Sequence, residues 1–158
     1  MGLDGSELRC IRPGAGLMSW MDVPTPTNEQ SWLRMIQFAQ SRPDPGFSEW
    51  KAQLVPLLQQ GIECGLHHHF LAGQSMHHIL FSLIVRYGLE DEPRVTIASN
   101  EKMELFAALT NHNIWFTEPA EKVSLAGPDA FRVFKGMLAR LWLAARPGQP
   151  PPPELQNV

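Results

Sequence analysis

The stretch Leu66-His67-His68-His69-Phe70-Leu71-Ala72-Gly73-Gln74-Ser75-Met76-His77-His78-Ile79-Leu80-Phe81-Ser82-Leu83-Ile84-Val85-Arg86-Tyr87 decides how the chain folds, and it holds five of its six histidines. Imidazole titrates near neutrality and is the commonest protein ligand for zinc, copper and nickel, so this density points to metal binding or acid–base chemistry. Two readings of the second half compete. Under helical spacing Met76, Ile79, Leu80, Leu83, Ile84 and Tyr87 share one face, with Ser75 as N-cap and Gly88 as terminator. Under strand spacing Ile79, Phe81, Leu83, Val85 and Tyr87 form the apolar face instead. A helix over 75–87 is the favoured expectation, because cap residues stand at both ends.

Each reading brings its own chemistry. A hairpin turning at Gly73-Gln74 sets position 69 opposite 78 and 67 opposite 80, so that His67, His69 and His78 share one face. Three imidazoles and an open position make a catalytic zinc site, and zinc is the one cofactor the sequence offers. No H-E-x-x-H spacing supports it. A helix starting at Ser75 places His77 and His78 in its first turn with Gly73 and the Ser75 hydroxyl, the outline of a site for a small anionic ligand. The glycines and lysine of a P-loop are missing from it. The leading reading makes the histidines structural, hydrogen-bonded at a sheet edge, in a helix cap or across a dimer interface.

Upstream, Thr27 and Gln30 spell a capping box, and Trp32, Met35, Ile36 and Ala39 form the stripe of a first helix. Ser41-Arg42-Pro43 stops it. Ser48 caps a second, with Trp50, Leu54, Leu57 and Leu58 on one face and Pro56 expected to kink or divide it. Downstream, Arg94–Ser99 and 113–117 read as strands. The segment between them is open: Glu101–Leu109 is rich in helix formers, yet Met103, Leu105 and Ala107 also alternate. A helix there makes a parallel βαβ unit over 94–117, with Asn100, Glu118 and His77 meeting in one crevice; a strand makes an antiparallel meander. The last helix is the clearest: Pro128 and Asp129 start it, and Phe131, Phe134, Met137, Leu138, Leu141, Trp142 and Ala145 trace a wide apolar face.

The chain's 158 residues suit one domain with a single core. A formal net charge of −3 argues against a nucleic-acid partner. No apolar run approaches the roughly 20 residues of a membrane span, nor does one follow Arg9 and Arg12 as in a signal peptide. Cys10 and Cys64 form no C-x-x-C pair, so a reduced, cytoplasmic setting is expected. Residues 1–26 read as a flexible leader and 147–158 as a Pro-rich disordered tail, leaving one domain over 27–146.

The expected class is α+β, a small sheet packed against two N-terminal helices and a long C-terminal one, with a parallel α/β arrangement as the alternative. With so few strands, pairing across a homodimer is one way to protect the sheet edges. The function expected is that of a small cytoplasmic interaction or ligand-binding protein, non-enzymatic, with a metal-dependent hydrolase centred on the histidines as the alternative.

Overall fold

Thr27 opens the first helix as its sequence requires. In a computed structural model, which describes residues 27–41, 48–75, 78–83, 92–111 and 119–157, the Gln30 amide donates to the Thr27 hydroxyl at 3.2 Å. The Thr27 amide donates back to Gln30 Oε1 at 3.0 Å. That reciprocal box starts α1 (Asn28–Gln40), and Ser41, donating its hydroxyl to the Phe38 carbonyl, closes it. α2 (Ser48–Glu63) runs through Pro56 as one helix, so the division expected there does not occur. Its stripe of Trp50, Leu54, Leu57 and Leu58 is buried, and this packing holds the helix together across the missing proline donor. Gly65, in the left-handed conformation at φ 81°, turns the chain into a short 3-10 turn, Leu66–His68.

Among the described residues five antiparallel strands follow in simple sequence order: β1 (Leu71–Ser75), β2 (His78–Ser82), β3 (Arg94–Ser99), β4 (Leu105–Thr110) and β5 (Glu121–Ser124). The class is therefore α+β, and the parallel alternative over 94–117 is not formed. Leu105–Thr110 pairs antiparallel with β3, Ser99 opposite Leu105, after a turn in which Asn100 Oδ1 accepts from the amides of Lys102 and Glu104. Asn100 is thus a turn residue rather than part of a crevice. The strand expected over 113–117, and Glu118, lie outside the described residues, as do His77 and the leader 1–26.

The favoured helix over 75–87 is overturned where it can be checked, since His78–Ser82 is a strand hydrogen-bonded to β1. The reason is burial on both faces. Ile79 and Phe81 point into the core, while Leu80 and Ser82 on the opposite face are also out of solvent. A strand covered on both sides carries an almost continuous apolar run, and such a run satisfies helical spacing as well.

The inner face of the sheet, with Ala72, Ile79, Phe81, Val95, Ile97 and Ala107, meets the apolar stripes of all three helices in one core. Trp32 sits at its centre, its ring centroid 5.1 Å from Phe81 and 6.4 Å from Phe134. α3 (Ala130–Ala145) supplies Phe134, Met137, Leu138 and Leu141. Past it, Gly148 at φ 80° reverses the chain, and a 3-10 turn at Pro153–Leu155 brings Leu155 to 2 % exposure. Leu155, within the segment read as a Pro-rich tail, packs into the core cluster. One core links all these elements in a single-domain α+β fold. Among the described residues no helix is long and apolar enough to cross a membrane.

Two substitutions test this packing. A Cβ on Gly61 would stand 2.6 Å from Trp32 Cζ3, and the fully buried ring has no room to retreat. Gly61→Ala is expected to lower stability by about 1–3 kcal/mol despite its better helix propensity, read from the denaturation midpoint. Leu155→Ala is expected to cost about 2–5 kcal/mol in the same measurement, whereas a free tail would leave the midpoint unchanged.

Candidate functional site

The turn between α2 and β1 carries three consecutive histidines, and each meets a different environment. A 3-10 turn advances about three residues per revolution, so neighbouring side chains leave it in different directions. His68 Nδ1 lies 2.9 Å from Glu29 Oε1 in the first turn of α1, with side chains 53 % and 59 % exposed. The Asn28 side-chain amide donates to the His68 carbonyl at 3.2 Å, so consecutive residues of α1 hold the backbone and the ring of one histidine. His67 stacks on it, the ring centroids 4.0 Å apart. His69 turns away, its Nε2 3.2 Å from Glu154 Oε2 and its ring edge-on to Trp142.

The electrostatics follow from these contacts. Burial, then the neighbouring His68, pushes the His67 imidazole below its ordinary pKa, while Glu29 acts in the opposite direction. His67 Nδ1 is out of solvent without a hydrogen-bond partner. A hydrogen bond from its own backbone amide holds the Glu154 carboxyl below the usual range; burial opposes this, and His69 reinforces it.

The residues that sequence spacing brought together do not all meet. Ser75 faces His78 and Gly73 faces Leu80 across β1 and β2, so the register that would set 69 opposite 78 is not formed. Of His67, His69 and His78, only His67 joins a cluster with ligand geometry. Among the described residues that cluster is Glu29, His67 and His68, whose ligand atoms all lie within 4.8 Å of one another. Gly73, Ser75 and His78 lie on paired strands. The helix N-terminus on which the anion site depended is therefore absent from the part that is described, and His77 falls outside it.

Glu29 and Glu154 were missed by sequence reasoning. Glu29 carried a weak signal, an acid inside a capping box, which marks a helix start but names no distant partner. Glu154 carried none.

Among the described residues, hollows of about 370 Å³ beside Leu57 and Phe131 and of about 340 Å³ beside Phe106 and Lys122 are other places a ligand could rest, as is a groove of about 230 Å³ between α3 and β5, lined by Val123, Val133 and Met137 with Arg132 and Arg140. Arg140 is paired with Glu121 and Arg132 with Asp129, so its cations are already answered. The groove is also smaller than ordinary small-molecule sites of roughly 300–1,000 Å³. Comparisons of the chain with protein-family models, curated proteins and solved structures return no match.

The two pKa shifts set an acid limb of stability. His67 has a lower pKa folded than unfolded, so the unfolded chain binds more protons and stability falls as pH drops below about 6.5. Glu154 is shifted the same way and adds a second loss further into acid, below about pH 4.5. Denaturation midpoints followed from about pH 8 to 2.5 are expected to fall in these two stages, and His67→Gln is expected to flatten the upper one. An upper stage of the same size in His67→Gln would show that the loss belongs to another group.

Proposed function

We propose that the chain is a small non-enzymatic binding protein and that the histidine turn is the element it presents to a ligand. The observation that carries this reading is the arrangement at the turn. His67 offers an imidazole nitrogen with no hydrogen-bond partner, beside an exposed His68–Glu29 pair whose His68 backbone is held by Asn28. Buried polar atoms without partners are uncommon, and one held next to a charge-bearing surface pair is where a ligand gains most. The reading takes the reducing, cytoplasmic setting expected from the sequence, in which an exposed cysteine such as Cys64 is a thiol.

A homodimer formed by strand pairing finds one edge occupied, because α1 packs along β1. The outer edge of the described sheet is β5, four residues long with Lys122 exposed, a charge that discourages edge-to-edge pairing. Strand pairing with a second copy is therefore left with the short β5 edge among the described strands.

Imidazole resonances of the whole chain, recorded with inorganic phosphate and separately with zinc chloride, test the reading alongside hydrolysis of p-nitrophenyl acetate. Shifts confined to His67, His68 and His69 with either ion, and no turnover above buffer, are expected. Turnover abolished by His67→Gln would replace it with the metal-dependent hydrolase. Silence of these resonances toward both ions would remove the turn as the binding element.

A further inference from the structure

Resting on the reading of the histidine turn as the binding element, we infer that Glu29, His67 and His68 form a site for a divalent transition-metal ion. Two imidazoles and one carboxylate are a donor set suited to zinc and its neighbours, whereas calcium and magnesium prefer oxygen alone. Their ligand atoms all stand within 4.8 Å of one another, and His68 Nδ1 and Glu29 Oε1 are 2.9 Å apart. Two ligands of a tetrahedral zinc ion, each about 2.0–2.1 Å from it, stand roughly 3.3 Å apart, so only small side-chain rotations are needed. Glu29 and His68 are exposed and free to make them.

The backbone that carries these ligands is fixed from both sides. The capping box holds the first turn of α1 on which Glu29 stands. Gly65 and the Asn28 bond to the His68 carbonyl hold the turn that carries both imidazoles. The ligands come from segments about forty residues apart in sequence and already adjacent in the fold, so the ion meets a preorganised cradle and bridges α1 to the turn. His69 is committed to Glu154 and His78 lies on β2, which separates this site from the other described histidines of the run.

The test uses the full chain without a histidine tag and zinc alone as the probe. Calorimetry is expected to give one ion per chain, with a thermal midpoint that rises with zinc concentration. Glu29→Gln and His68→Gln, both at exposed positions that leave the fold intact, are each expected to weaken binding at least about tenfold, since even outer partners of metal ligands are worth 10–100-fold. His78→Gln is expected to leave it unchanged.

X-ray absorption is expected to show nitrogen and oxygen neighbours at about 2.0–2.1 Å, whereas sulfur at about 2.3 Å would assign the ion to a cysteine and overturn the site. Full-strength binding in Glu29→Gln and His68→Gln, or loss in His78→Gln, would overturn it as well. So would the absence of stoichiometric zinc; if phosphate still shifts the imidazoles of the turn, the binding reading survives and only the metal falls.

Discussion

The hydrogen bond from the Trp32 indole to the Phe70 carbonyl, 2.8 Å long, and its companion from the Ala72 amide to the Ser31 hydroxyl, 2.9 Å long, seal the outer edge of β1. An edge strand presents backbone donors and acceptors that must find water or a partner, and inside a core water is not at hand. Here two consecutive side chains of α1 supply both partners. Ser31 remains satisfied in turn by donating to the Asn28 carbonyl. The helix is thereby locked lengthwise against the sheet edge, Trp32 is driven into the centre of the core, and the start of α1 is brought beside the residues that precede β1. Those residues are the histidines, so the geometry of the candidate site follows from how one sheet edge is closed.

Much of the fold was readable from local signals. The Thr27–Gln30 box, the stripe of α2, the strand Arg94–Ser99 and the apolar face of α3 each show as a pattern within a few residues, which sequence spacing encodes directly. The failures fall where burial on both faces or a long-range contact decides. β2 read as a helix because Leu80 is buried as deeply as its alternating neighbours require of Ile79 and Phe81. Leu105–Thr110 was undecided for a related reason: Leu105, Ala107, Ala108 and Leu109 are all buried, and helix formers such as Leu and Ala fill strand positions once tertiary packing pays for them. Leu155 was invisible because a single apolar residue among prolines has no period at all.

The site was legible as a composition and not as a geometry. Concentration of imidazole marked the right segment, and the hairpin downstream of it was among the alternatives weighed. Register then undid the expected trio, since His78 pairs with Ser75 rather than standing opposite His69, at the end of β1 far from the 3-10 turn. The carboxylates that complete the arrangement belong to α1 and to the C-terminal segment, the second of them 85 residues from its histidine. Partners at such separations are chosen by topology, which no spacing rule in a single segment contains.

Three adjacent identical residues thus acquire three chemistries. His67 is drawn partly inside, where burial favours the neutral ring that a metal needs as a ligand. His68 stays at the surface against Glu29. His69 points the other way and joins Glu154, whose position depends on the reversal at Gly148 and the anchor at Leu155. The turn is consequently in contact with both ends of the described fold, α1 through Asn28 and Glu29 and the C-terminal segment through Glu154. A change at either end reaches it through one or two contacts, and the binding proposed at His67 and His68 draws on α1 while leaving the His69 junction in place. The division of labour comes from the tightness of the 3-10 turn, which points neighbouring side chains toward different elements; in a strand His67 and His69 would have shared a face and His68 would have stood alone.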